Sequence, residues 1–340
     1  PQRDSLKFMR NPFATQWAYT FNTKTTLGYV EDVWTVNETL KLNAGFKAIK
    51  VKSTSSTVVG PPVINGEITS EDSFLPQVGA TFRLDGNNEL FGSYTENLRA
   101  FGAAHTGLSP FATTQAGFDA TARSLEPETS KTLEAGWRFR AGPVQGVAAA
   151  YYVKFDNRLI GTSAGAGIVG NPTILANAGS VTSKGVEAAA TWRLSDAWSL
   201  FGSYAYNDSS YDDDIVDPAT GAVVQRISGK TTVDTPKHLL NVQVAFDQGG
   251  WFANLSAHYT AERFFTYTND QSVPSYTTVE LSAGYRFEGE GLVVQVNITN
   301  LLDKEYVSTI GSNGFGYAGD SQTLLAGAPR QAFVSVRKAF

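Results

Sequence analysis

Two-residue alternation runs through most of this chain and narrows its fold more than any other feature. Val279, Leu281, Ala283, Tyr285 and Phe287 alternate with Thr278, Glu280, Ser282, Gly284 and Arg286. After a short EGEG turn, Leu292, Val294, Val296 and Ile298 alternate with Val293, Gln295, Asn297 and Thr299. Leu133, Ala135, Trp137 and Phe139 do the same against Thr132, Glu134, Gly136 and Arg138. Leu240, Val242, Val244 and Phe246 follow suit against Asn241, Gln243 and Asp247. A period of two places each apolar set on one face of a sheet. The pattern predicts thirteen strands, at 24–36, 38–52, 74–84, 89–99, 129–141, 145–157, 180–193, 197–209, 237–247, 251–262, 275–287, 291–301 and 329–340.

The connections are the second constraint. Short ones (Val36-Asn37, DGNN, AGPV, LSDA, DQGG and EGEG) alternate with long ones at 53–73, 100–128, 158–179, 210–236, 263–274 and 302–328. A soluble sandwich has no reason to put every long loop at one end. An outer-membrane barrel does, with strands of about 9–11 residues, short periplasmic turns and long extracellular loops. The polar face points the same way. Glu134, Arg138, Glu187, Arg193, Asn254, His258, Glu280 and Arg286 suit a wet or plugged lumen, because a dry core needs a partner for every buried charge. The expected fold is therefore all-β, an antiparallel transmembrane β-barrel. ELFGSYTEN (89–97) and SLFGSYAYN (199–207) are near copies, as expected of strands in equivalent places of one sheet.

Composition excludes several alternatives. The net charge of -5 argues against a nucleic-acid partner, which needs a basic stripe. No cysteine is present, so disulfides and thiolate metal sites are ruled out. No apolar run reaches the roughly 18 residues of a transmembrane helix. PQRDSLKFMR, at the start, lacks the apolar region of a signal peptide. An antiparallel barrel closes without a parallel seam only on an even strand number, so thirteen strands read as the C-terminal part of a larger barrel.

Several stretches resemble the TonB-dependent outer-membrane receptors of the siderophore type. They are LGYVEDVWTVNETLKLNAGFK (27–47), LEPETSKTLEAGWRF (125–139), NAGSVTSKGVEAAATW (177–192), TPKHLLNVQV (235–244), VPSYTTVELSAGYRF (273–287), NITNLLDKEYVST (297–309) and GAPRQAFVSVRKAF (327–340). Together, in order, they extend over about 315 of the 340 residues. The resemblance implies a 22-stranded barrel, a size that carries a plugged lumen. It also implies a signal peptide, a short TonB box and an N-terminal plug, none of which is legible in this sequence. On that basis residues 1–340 are a partial barrel, with 1–23 an outer-loop segment.

The function implied is TonB-dependent uptake of a ferric siderophore at the outer membrane of a Gram-negative cell. This chain would supply barrel wall and outer loops. Partners implied are the siderophore, the TonB-ExbB-ExbD complex acting through the N-terminal part, the barrel-assembly machinery and outer-membrane lipid. No cofactor is implied, since the siderophore brings the iron ligands. A receptor for cobalamin or an oligosaccharide, or a passive outer-membrane pore, stays open.

In the family the terminal aromatic, here Phe340, is an assembly signal; the same ring suits a periplasmic aromatic belt. For ligand contact, ERFFTYTND (262–270) offers Arg263, Phe264, Phe265 and Tyr267, aromatic faces beside one cation that suits an anionic chelate. These residues equally suit an aromatic girdle. His105 is a lone loop histidine that could touch a ligand; His258 reads as a hydrogen-bonded wall residue and His238 as structural. Asp212, Asp213 and Asp214, in a run with Asp208 and Asp217, are hard oxygen donors without the spacing of a calcium loop. No GxSxG, HExxH, P-loop or dinucleotide fingerprint occurs, so no catalytic constellation is expected.

Overall fold

The computed structural model describes residues 18–60, 63–104, 109–162, 174–177, 179–216, 222–287, 289–310 and 324–339. β1 (Ala18–Thr35), β2 (Leu40–Val59), β3 (Gly66–Arg83) and β4 (Asn88–Arg99) come first, followed by a short helix, α1 (Gln115–Thr121). β5 (Glu128–Ala141) and β6 (Val144–Asp156) lead to a small hairpin, β7 (Leu159–Thr162) and β8 (Ile174–Asn177). β9 (Val181–Arg193) and β10 (Trp198–Tyr211) precede a second small pair, β11 (Ile215–Val216) and β12 (Val223–Gln225). β13 (His238–Gln248) and β14 (Trp251–Thr260) precede a third, β15 (Arg263–Phe264) and β16 (Ser272–Val273). β17 (Tyr276–Phe287) and β18 (Leu292–Thr299) precede a fourth, β19 (Val307–Ile310) and β20 (Leu324–Ala326), and β21 (Gln331–Lys338) follows.

The long strands form one 13-stranded sheet in the order β1-β2-β3-β4-β5-β6-β9-β10-β13-β14-β17-β18-β21. Every neighbouring pair is antiparallel, as expected when each strand turns back on the last. β1 and β21 are the two edges. Among the described residues no helix is long and apolar enough to cross a membrane.

Register separates two faces. Leu90 pairs with Trp137, and Tyr204 with Ala188 and Leu240, so these lie on one face. Leu255 pairs with Val244 and Leu281, and Val296 with Ala283 and Val334, extending that face across the sheet. It is apolar yet open: Leu133 is 58% exposed, Trp251 61% and Val334 71%. So large an exposed apolar face is a liability in water and fits lipid. Trp34, Trp137, Trp192, Trp198 and Trp251, all the tryptophans among the described residues, lie on it near the short turns. That is where an interfacial aromatic belt is expected. The opposite face carries Glu134, Glu187, Glu280, Arg138, Arg193, Arg286, Asn254 and His258, as the alternation predicts.

Glycines let this inner face accept large rings. Phe91 lies opposite Gly136, and a Cβ there would sit 2.3 Å from the Phe91 ring. The Arg138 guanidinium lies over that ring at 4.1 Å and pairs with Glu89 at 2.6 Å. The arrangement recurs where Phe252 lies opposite Gly284, with Arg286 over the ring at 4.4 Å and bound twice to Asp247. At the β13–β14 turn, Gly249 and Gly250 have φ of 62° and 83°. Positive φ at both positions is what a two-residue hairpin turn demands.

The thirteen strands fall where the alternation places them, but the first three are longer. β1 begins at Ala18, so residues 18–23 are strand and not outer loop; residues 1–17 lie outside the described residues. The expected loop at 53–73 is likewise mostly the ends of β2 and β3, joined through 60–65. These strands run 18, 20 and 18 residues, about twice what a tilted strand needs to cross a bilayer. Above the apolar band both faces are polar, as in KSTSST, so alternation disappears while hydrogen-bonded pairing continues. A bulge between Lys47 and Ile49 in the β2–β3 pairing further breaks the period on β3.

Candidate functional site

The long connections, all at one end of the sheet, carry hydrophobic cores of their own. In one cluster Ile64, Ile68, Phe101, Phe111, Phe118 and Leu159 are buried, with Phe21 and Leu125 against them. Phe111 and Phe118 stack at 5.2 Å. α1 exists to aim Phe118, its one buried residue; Thr114 caps it by accepting the Gly117 N–H. In the second cluster Ile160, Val181, Tyr211, Ile215, Ile227 and Tyr267 are buried. Leu159 and Ile160 are consecutive in β7, so one strand sends alternate side chains into both cores.

Ion pairs tie this cap to the wall. Glu128, 4% exposed at the start of β5, takes the Arg158 guanidinium at 2.8 Å with Arg99 at 3.7 Å. Arg158 also lies 5.3 Å from the Phe155 ring. A carboxylate this buried is tolerable because both charge and hydrogen bonding are met.

The ERFFTYTND stretch divides. Arg263 is 6% exposed and Tyr267 1%, so neither offers an open ligand face or a membrane girdle. Arg263 donates to Asp234 at 2.8 Å and to the Val307 carbonyl at 2.7 Å, joining three connections. Burial pushes the Asp234 carboxyl up from its ordinary range, opposed by the charge and hydrogen bond of Arg263. Tyr267 meets Tyr211 edge-on at 5.8 Å inside the second cluster. Phe264 and Phe265 stay half-buried.

Beneath Arg263 lies an aromatic pair, Tyr276 of the stretch VPSYTTVELSAGYRF and Tyr306 of NITNLLDKEYVST. Tyr276 stacks on Tyr306 at 4.4 Å, the Arg263 guanidinium lies 5.8 Å from the Tyr276 ring, and Gly327 lets Tyr306 lie close. Both tyrosines are half-buried. Nothing in the local sequence announces the pair, because it joins β17 to the connection before β19.

The histidines and aspartates take structural places. His258 Nδ1 is 2.7 Å from Asn241 Oδ1, and the Asn241 amide donates to Ser203, so His258 is a wall residue of the inner face. His238 is hydrogen-bonded to the Tyr204 hydroxyl at 2.8 Å on the outward face. Asp212 accepts from the Thr182 hydroxyl, Asp213 from the Ser180 N–H and hydroxyl, and Asp214 from the N–H groups of Ile227 and Ser228. The three diverge to pin different connections, and no group of metal-ligating side chains occurs among the described residues. His105, Asp217 and Phe340 lie outside the described residues.

Comparisons with known proteins fit this geometry. Residues 4–301 match the family model "TonB dependent receptor-like, beta-barrel". The ferrioxamine B receptor of Salmonella typhimurium is 28% identical over 240 residues, 64% of this chain and 31% of that protein. The metal-pseudopaline receptor CntO of Pseudomonas aeruginosa is 25% identical over 273 residues, 76% of this chain and 34% of that protein. The chain thus spans about a third of the length of the curated relatives it matches. Among solved structures, the siderophore receptor PiuA from Acinetobacter baumannii matches with a TM-score of 0.73 at 19% identity, over 94% of this chain and 43% of that one. The ferric yersiniabactin uptake receptor FyuA from Yersinia pestis matches with a TM-score of 0.66 at 18% identity, over 94% and 46%. These two likenesses concern the fold. Apolar-out and polar-in register, long connections at one end and a family match over most of the residues converge: this chain belongs to the TonB-dependent receptor β-barrel family and is barrel wall of the outer membrane.

Proposed function

We propose that the protein carrying this chain takes up a ferric siderophore across the outer membrane, driven by TonB. The observation that carries this reading is the cap. Loops with two hydrophobic cores, anchored by Glu128 and Arg263, hold aromatic surface at the mouth of a polar-lined wall. Phe264, Phe265, Tyr276 and Tyr306 are the ligand-facing candidates; stacked rings and hydroxyls suit a bulky polar chelate whose iron is already coordinated. His105 remains a candidate from its place in the outer connection 100–127. The names of relatives, among them receptors for ferrioxamine B and for a ferric pyoverdine, support the substrate class.

The role is transport, not catalysis. TonB with ExbB and ExbD supplies the energy through the N-terminal part that such a receptor carries, and Phe340 addresses the chain to the barrel-assembly machinery. Uptake of ferrioxamine B by the intact protein tests the reading. Phe264→Ala with Phe265→Ala is expected to weaken binding about tenfold, at roughly 0.5–1.5 kcal/mol for each aromatic contact. Cobalamin or an oligosaccharide should neither bind nor compete; if one does while ferric siderophores fail, the substrate class changes and the receptor fold stands. A large steady ion conductance of the intact protein in a planar bilayer would instead mark a passive pore.

A further inference from the structure

Oxidising equivalents that reach the long connections of this chain have few places to go. The sequence has no cysteine and a single methionine, the sulfur side chains on which protein oxidation usually falls. The described tryptophans lie on the outward face near the short turns, at the opposite end of the sheet. That leaves tyrosine as the easiest electron donor at the end with the long connections, and tyrosines touch there in two different ways.

Tyr211 and Tyr267 are 4% and 1% exposed and meet edge-on, at 5.8 Å and 80°. Tyr276 and Tyr306 are half-buried and lie nearly parallel, at 29°, with ring centroids 4.4 Å apart. That separation is at the short end of the range for aromatic pairs, about 4.5–7 Å, and brings ring carbons into contact. Both backbones are held. Tyr276 opens β17 and pairs with Thr260 of β14. The Tyr306 carbonyl accepts the Gly327 N–H at 2.8 Å, and a Cβ on Gly327 would overlap the Tyr306 ring. The Tyr306 ring therefore has little room to leave its partner.

We propose that Tyr276 and Tyr306 are a site of oxidative cross-linking, coupled to dityrosine by a one-electron oxidant formed from peroxide at an iron complex. Each phenol gives up one electron and one proton, and the two rings join through carbons ortho to their hydroxyls. The hydrogens on those carbons then leave as protons while the two ring oxygens take protons back, restoring two phenols. The two electrons and two protons released in all reduce one hydrogen peroxide to two waters. The new bond fixes the connection before β19 to the wall at β17 and removes the stacked ring faces from any ligand. On the uptake reading above, on which this consequence rests, the bond is a shut-off: iron and peroxide together at the mouth close the surface that admits more iron.

Hydrogen peroxide with ferric EDTA and ascorbate, added to the intact protein in detergent, tests the site at a dose that consumes half of the free tyrosine included alongside. Peptide mapping by mass spectrometry should find Tyr276 and Tyr306 joined, at the summed peptide mass less two hydrogens, with dityrosine fluorescence rising to match. Tyr276→Phe and Tyr306→Phe should each abolish the joined peptide, since Phe keeps the stack but forms no phenoxyl radical. Tyr211 and Tyr267 should stay separate. Free tyrosine consumed while Tyr276 and Tyr306 remain unjoined would overturn the site, as would equal joining of Tyr211 to Tyr267. Affinity for ferrioxamine B is then read before and after oxidation. Wild type should weaken about tenfold, while Tyr306→Phe should show no further loss, whatever its starting value. A joined wild type that binds as before would overturn the shut-off and leave the receptor reading intact. If no ferric siderophore binds before oxidation, the uptake reading fails, and the joined peptide alone decides the site.

Discussion

At the scale of the residue, the aspartate run shows how one composition serves different ends. Clustered carboxylates suggest a cation, yet each of Asp212, Asp213 and Asp214 is committed to a different connection. Asp214 is the clearest case. The Ser228 N–H holds its carboxyl below the ordinary carboxylate range; burial opposes this, and the Ile227 N–H and the Arg226 charge assist. A depressed folded value means that its contribution is fully present above the unfolded value, about 3.9, and is lost as pH falls through the folded one. Protection of the Ile227 and Ser228 amides, measured as exchange relative to their intrinsic rates at each pH, should therefore fall on acidification below about pH 4. Asp214→Ala should show that low protection already at neutral pH, with no further acid dependence of the protection of these two amides. A wild-type profile in the variant would remove the assignment.

Among elements, β7 is the instructive one. It is four residues long and unpaired with the main sheet, yet Leu159 and Ile160 serve two separate cores. Leu159→Ala should loosen Phe111 and Phe118 and leave Tyr211 and Tyr267 protected, while Ile160→Ala should do the reverse. Each truncation costs about 2–5 kcal/mol of local stability, and hydrogen exchange resolved by residue would read the two patterns separately. If both variants loosen both clusters alike, the cap is one cooperative unit. The barrel strands themselves were legible, since Leu240 to Phe246 or Leu292 to Ile298 keep one face in lipid over their whole length. The helix and the four small hairpins were not. A two-residue strand such as β15 has no period to read, and its existence depends on contacts with connections distant in sequence.

For the whole molecule, the two faces make opposite demands on neighbouring residues. Leu255 points to lipid and Asn254 to the inner wall, one residue apart on β14. Leu255→Arg should lower unfolding stability in vesicles by roughly 2–4 kcal/mol, while Asn254→Arg should change it little, because a charge on the polar face stays hydrated. Equal costs would mean that the faces are misassigned. Sequence alone determined the class of fold, the number of long strands and which residues face lipid, because a bilayer imposes a period of two on every crossing strand. It also located the apolar, open face and the short turns. Only the tertiary structure decided that β1 to β3 rise past the membrane, that Arg263 and Tyr267 are buried braces, and that Tyr276 meets Tyr306. Above the bilayer no solvent imposes a period, so the loops take their form from contacts between segments far apart in the chain, and those contacts leave no local trace.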